Sequence, residues 1–272
     1  MSFNDAALSY DRFRPRYPSA LFDDLSAARG IGTHSRILEV GCGPGVATEE
    51  MMARGWSVLA VDPGERLARV ASAKFDDAHF AVEVATFDEW ESHGRRFDLV
   101  FSATAFHWVA PAVRWVKAAE VLDGHGAIAL TCNKAMAGGS FHQFAEATSD
   151  VRRDNGVVDE RESPSVEDLD GLIASSRHDV GALWEALSPQ GSSVIAGELF
   201  DAPDVWLYPW TTTYSTVEAL GLMATYSRYL VMDPATRRTL FEQLAGLIDR
   251  DFAGALTRHY VTVLAVAPRA AK

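Results

Sequence analysis

Ile37-Leu38-Glu39-Val40-Gly41-Cys42-Gly43-Pro44-Gly45 is the stretch whose reading decides the fold. An apolar, β-branched run at 36–40 reads as a buried strand. It enters a glycine-rich turn, and a helical pattern follows from 46 to 54. Outward from this stretch the theme repeats. Strands are expected at 57–61, 80–84, 97–101 and 126–130, with one helix beginning near Glu65 and another carrying Pro111 in its first turn. Strands alternating with helices define an α/β protein with an open, mostly parallel sheet and right-handed crossovers.

Glycines in such a turn let the backbone approach a ligand closely and present amides at a helix N-terminus. Many nucleotide-binding sheets share this feature, so the spacing matters. The dinucleotide fingerprint is G-x-G-x-x-G/A. Gly41 and Gly43 match it, but the third glycine is Gly45 and Val46 takes the fingerprint's last position. Glu39 stands two residues before Gly41, where a carboxylate opposes a pyrophosphate but suits an ammonium group. Asp62 ends the next strand, about 20 residues on, placed to accept both hydroxyls of a ribose. The pattern calls for a nucleoside with a cationic tail and no phosphates, a description that S-adenosylmethionine (SAM) meets. The plainer alternatives are that Glu39 caps the loop by accepting amides and that Asp62 is a turn acid before Pro63. Cys42 reads as a small residue packed beside the cofactor and not as a nucleophile, since no His or Asp in the motif would activate it.

These residues resemble those of class I SAM-dependent methyltransferases, most of all a small-molecule subgroup that includes trans-aconitate-type enzymes. The E-x-G-x-G-x-G motif is matched in full by Glu39, Gly41, Gly43 and Gly45. The resemblance implies a Rossmann-like sheet with an antiparallel last strand and helices on both faces. It also implies cofactor contacts at Asp62, Pro63 and Leu67, at Thr86, Phe87 and Asp88 after the third strand, and along Ser102, Ala103, Thr104 and Ala105. Tyr10 to Pro18, YDRFRPRYP, resembles the subgroup's "YDxxRPxYP" lid, so Tyr10 is expected at the cofactor and Arg14 and Tyr17 at the substrate. Ala105-Phe106-His107-Trp108-Val109 resembles its "AFHWV" segment, which places His107 and Trp108 at the substrate. His107 is the candidate catalytic base, a neutral imidazole being suited to remove a proton near pH 7. In the plainer reading it caps the next helix or fixes the cofactor edge, and Trp108 is core.

The alternation stops near Asn133. Residues 134–204 read as a mostly helical insert, a probable substrate cap, with a helix after Ser165, a charged stretch at 150–162 and a loop at 188–193. A methyltransferase domain is then expected at 1–133 and 205–272, its lid at about 1–18. The strand at 205–214 leads into a helix capped by Ser215 with Glu218, a capping box. Another helix starts at Asp233-Pro234 with an apolar stripe of Leu240, Leu244, Leu247 and Ile248, and 260–267 is a last strand. Arg12, Arg14 and Arg16 alternate, so an extended chain would put them on one side, either as a strip for a carboxylate substrate or as a solvated, salt-bridged surface. Tyr208, Tyr214, Tyr226 and Tyr229 wall a substrate cavity or belong to the core.

The chain has 272 residues, and 25 Lys+Arg against 37 Asp+Glu give a formal charge of −12, which argues against a nucleic-acid partner. Two cysteines imply no disulfide framework and fit a reducing cytoplasm. No apolar run approaches a membrane span, 1–18 has no secretory apolar region, and the histidines show no metal-ligand spacing. The expected partner is a small-molecule methyl acceptor. Two rivals remain: an NAD(P)-dependent oxidoreductase on a similar sheet, and a non-catalytic member that binds SAM or a protein.

Overall fold

A computed structural model describes residues 7–157, 163–187 and 196–271 of the chain. The expected loop at 188–193, the end of the charged stretch at 150–162 and the first six residues of the expected lid lie outside the described residues. Seven strands form one sheet: β1 (Arg36–Val40), β2 (Ser57–Asp62), β3 (Phe80–Val84), β4 (Phe97–Ala103), β5 (Leu122–Ala135), β6 (Asp204–Ser215) and β7 (Ala255–Pro268). Their order is β3-β2-β1-β4-β5-β7-β6, and β3 through β5 are mutually parallel.

The last strand, β7, runs against its neighbours: across β6, Thr211 bonds His259 and Thr213 bonds Thr257, an antiparallel register. Arg269 N–H donates to the Gly126 carbonyl at 2.9 Å and Met136 N–H to that of His259 at 2.9 Å, so β7 runs opposite to β5. The sheet is therefore Rossmann-like and mixed. Central strands need apolar residues on both faces, and Ile37, Leu38, Val40, Leu99, Val100 and Phe101 are all buried. β6 lies at the edge, where Pro209 removes an amide that no neighbouring strand requires.

Helices connect the parallel strands. α1 (Ala7–Phe13) precedes α2 (Ser19–Arg29), which buries Leu21, Phe22 and Leu25. α3 (Thr48–Ala53) begins later than the sequence pattern indicates, because a turn occupies 45–47. α4 (Glu65–Lys74) starts where expected. α5 (Arg114–Val121) begins three residues beyond Pro111, which lies in a turn closed by Val113 N–H on the Ala110 carbonyl.

The expected insert carries α6 (Gly139–Ala147), α7 (Ser149–Asp154), α8 (Val166–Ser176), α9 (Val180–Leu187) and α10 (Ala196–Leu199). Next come α11 (Thr216–Ala224), with the reciprocal Ser215–Glu218 capping box, α12 (Ser227–Leu230) and α13 (Pro234–Asp251), capped by Asp233. On α13, Leu240, Leu244 and Ile248 are buried, while Leu247 is half-buried at the edge of the stripe.

The described residues fall into two compact units. One comprises 16–133, 168–187, 196–208 and 262–271, and the other 7–15, 134–157, 163–167 and 209–261. The segment 134–204 is divided between them. The first unit's core includes Leu21, Phe22, Ile37, Trp56, Leu99, Phe101 and Leu264. The second packs Phe144, Leu222, Tyr229, Leu240, Leu244 and Ile248 together. Among the described residues, no helix is long and apolar enough to cross a membrane.

Candidate functional site

In parallel sheets ligands gather at the carboxyl ends of the strands. There the first unit places Glu39, the glycine loop, Asp62 and the residues that follow β3 and β4. Gly41, Gly43 and Gly45 all have positive φ, at 75°, 56° and 85°. A side chain at Gly41 would overlap the Ala105 methyl group, so the glycine is required by close approach of two loops. A side chain at Gly43 would meet open space. Gly43 is therefore where the backbone is bare toward anything that enters.

All three glycine amides are used within the protein. Gly41 N–H donates to the Val61 carbonyl at 2.8 Å, Gly43 N–H to Asp62 Oδ2 at 2.8 Å, and Gly45 N–H to the Cys42 carbonyl at 3.0 Å. Asp62 Oδ1 accepts from Gly64 N–H at 2.8 Å. Asp62 thus ties the glycine loop to the turn before α4. Each carboxylate oxygen keeps a second lone pair, enough for a hydroxyl donor. Burial raises the Asp62 pKa, and the Gly64 and Gly43 amides oppose that rise.

Glu39 is only 1% exposed and accepts a 2.6 Å hydrogen bond from Thr48 Oγ1, on the first residue of α3. Burial pushes its carboxyl up to about 7, against the Thr48 hydrogen bond, with the Asp62 charge adding to the rise. With a raised pKa and no basic partner among the described residues, this buried carboxyl at the carboxyl end of a strand makes Glu39 a candidate functional position. Cys42 is buried, its Sγ donates to the Gly43 carbonyl at 3.4 Å, and burial together with Glu39 and Asp62 holds the thiol protonated.

The remaining sequence-based positions divide. Leu67 is buried and Pro63 exposed beside Asp62. Thr86 Oγ1 donates to Glu89 at 3.0 Å, and Asp88 accepts from Ala110 N–H at 2.9 Å. Phe87 stacks on Trp90 at 6.1 Å between ring centroids, and its ring is buried in that packing. Ser102 is buried and its hydroxyl donates to the Val40 carbonyl at 2.7 Å, pinning β4 to β1; Ala103 is half-buried.

A 3-10 turn at Phe106–Trp108 buries Phe106, leaves His107 half-buried and exposes Trp108 by 64%, the two rings 5.0 Å apart. Trp108 is therefore not core. Tyr17 Oη and Thr104 Oγ1 share a 2.9 Å hydrogen bond, and Thr104 has φ of 56°, a left-handed conformation a threonine rarely adopts. Tyr10 and Arg14 belong to the other unit.

The alternation argument for Arg12, Arg14 and Arg16 does not survive. Arg12 lies in the helix α1 rather than in an extended strip, and Arg16 pairs with Glu49 at 3.1 Å in the first unit. Thr48 and the strained Thr104 escaped the sequence reading. Thr48 was legible only as a hydroxyl opening the helix after the loop. Nothing local marks a threonine for positive φ.

Comparison with known proteins agrees with this geometry. Residues 37–126, roughly a third of the chain, match the family model described as a methyltransferase domain. That segment holds the glycine loop, Asp62 and His107. An uncharacterized methyltransferase of Mycobacterium tuberculosis is 34% identical over 135 residues, covering 49% of this chain and 52% of that protein. A ubiquinone biosynthesis O-methyltransferase of Methylobacterium is 32% identical over 104 residues, 37% of this chain and 42% of that protein. The chain spans about half the length of the curated relatives it matches. The fold is that of a candidate type II methyltransferase of Anaeromyxobacter dehalogenans, with a TM-score of 0.59 at 19% identity over 94% of this chain and 98% of that one.

Proposed function

We propose that this protein is a class I methyltransferase that binds SAM at the β1 and β2 loops and methylates a small molecule. One observation carries the reading: every amide of the three loop glycines is already hydrogen-bonded inside the protein, and the loop is bracketed by two carboxylates. A pyrophosphate needs free amides and no opposing negative charge. A sulfonium nucleoside needs neither. The methyltransferase-domain match over 37–126 supports the same reading.

In this proposal Glu39 faces the ammonium group of the cofactor and Asp62 its ribose hydroxyls. Gly43 gives the close backbone approach, Leu67 and Pro63 border the adenine, and Ser102 and Ala103 continue along the cofactor. SAM supplies a methyl group already activated by positive charge. What the protein adds is alignment and exclusion of water, worth several kcal/mol without any compulsory acid or base. His107 removes the acceptor's proton where the acceptor atom carries one. The segments at 10–18 and 105–109 support placement among the small-molecule enzymes of trans-aconitate type. The N-terminal segment and the 134–204 region select the substrate, and the protein works in the cytoplasm with Cys42 and Cys132 as free thiols.

A thermal-shift panel with SAM, its demethylated product, NAD(H) and NADP(H) tests the reading. A ligand at about 100 times its dissociation constant adds about 2.7 kcal/mol, which moves the midpoint of a chain this size by a few degrees. A shift with SAM or its product alone is expected. A shift confined to a nicotinamide cofactor makes the protein an oxidoreductase, and no shift at all moves the non-catalytic reading to the front.

A further inference from the structure

The unit formed by 7–15, 134–157, 163–167 and 209–261 gathers cations around one tyrosine. The Arg14 guanidinium lies 5.0 Å from the Tyr226 ring centroid and 4.7 Å from that of Tyr10. The Arg228 guanidinium lies 5.4 Å from the same Tyr226 ring, and Arg258 Nη1 donates to the Tyr226 hydroxyl at 2.8 Å. Arg258 otherwise faces the rings of Phe141 at 4.4 Å and Tyr260 at 5.3 Å.

Among the described residues, neither Arg14 nor Arg258 has a carboxylate partner. Arg14 Nη2 donates to the Thr225 carbonyl at 3.0 Å, and its Nε is buried with no hydrogen-bond acceptor. Glu218, on α11 of the same unit, is committed to the Ser215 amide at 2.9 Å and the Ser215 hydroxyl at 2.7 Å. Scarcity of acids does not explain this, since the chain carries 37 acidic against 25 basic side chains. Buried and half-buried guanidinium groups ordinarily find carboxylates, because aromatic faces and neutral oxygens only partly replace the lost hydration.

We infer that Arg14 and Arg258, set around Tyr226, form a receptor for the oxyanion group of a small molecule, a carboxylate or a phosphate. A guanidinium fork matches two oxygens of such a group, and the uncommitted Arg14 Nε is a donor in want of one. The inference concerns this unit alone and stands apart from SAM binding at the glycine loop.

Isothermal titration of the full chain with benzoate, citrate and inorganic phosphate at low ionic strength tests it. Wild type is expected to bind at least one of them, more weakly as salt rises. Arg258→Lys and Arg14→Lys keep the charge but lose the fork, and each is expected to weaken that binding by about tenfold. Arg250→Lys, on the exposed face of α13, is expected to change nothing. A preference for benzoate or citrate assigns a carboxylate ligand, and a preference for phosphate a phosphorylated one. Near-UV circular dichroism confirms that each variant is folded, and two separate lysine variants guard against one that is not. Absence of binding by wild type, or equal binding by wild type and both lysine variants, overturns the inference.

Discussion

Replacing Glu39 by glutamine removes a buried charge while keeping the shape and the acceptor for Thr48 Oγ1. The Glu39 carboxyl has a pKa of about 7 in the folded chain against an ordinary 4.5. A raised carboxyl pKa leaves stability intact below the unfolded value and erodes it as pH climbs toward the folded one. At pH 5 the erosion is about 1 kcal/mol, and at pH 8 it reaches about 3 kcal/mol. Glutamine carries no such titration, though its unpaired amide hydrogens cost about 1–2 kcal/mol at every pH. Glu39→Gln is therefore expected to be no more stable than wild type at pH 5 and more stable by about 1–2 kcal/mol at pH 8. Urea midpoints for both proteins at the two pH values, with a common m-value, measure this directly. Groups that do not interact with Glu39 titrate in both proteins and cancel in the difference. A stability gap that is the same at pH 5 and pH 8 would refute the reasoning. The variant should also lose most of its thermal shift with SAM, separating the residue's cost to the fold from its use.

The two glycines of the loop should separate in the same way. Gly41→Ala forces a methyl onto Ala105 and is expected to destabilise by more than about 2 kcal/mol in urea, whereas Gly43→Ala meets only open space and costs about 1 kcal/mol for its left-handed φ, yet blunts SAM binding. Asp62→Ala leaves the Gly43 and Gly64 amides without their acceptor, so a loss of about 1–3 kcal/mol of stability should accompany weaker SAM binding in calorimetry. His107→Ala should abolish turnover of an acceptor that must lose a proton while the SAM thermal shift persists; unchanged turnover across pH retires it as a base.

The sheet was legible because its signal is local. Five apolar runs separated by helical patterns specify parallel strands whatever else the chain does, and Ile37, Leu38 and Val40 had only one place to go. The glycine loop was legible for the same reason, since three glycines at fixed spacing define a backbone path. What escaped depended on contacts distant in sequence. Tyr17 meets Thr104 across 87 positions, and Arg258 reaches Tyr226 across 32. No periodicity encodes such meetings. The alternating arginines misled because α1 continues through Arg12 and Phe13, so a two-residue period carried no meaning there. Pro111 misled by one turn, because proline tolerates a helix's first turn and the turn before it equally.

Each unit keeps charge that folding alone does not favour. In the first, Glu39 is withdrawn from water with only a hydroxyl for company and responds by titrating near 7. In the second, Arg258 is packed among Phe141, Tyr226 and Tyr260, with no carboxylate beside it among the described residues. Both charges could be replaced by neutral groups of similar volume at a gain in stability. Such positions persist where a ligand of opposite charge completes them, because stability is given up at functional sites and nowhere else to advantage. Glu39 then asks for a cation and Arg258 for an anion. The first request fits the ammonium group of SAM. The second is a separate demand, met by a different molecule or a different part of one, and it is why the arginine cluster and the glycine loop are tested with separate ligands.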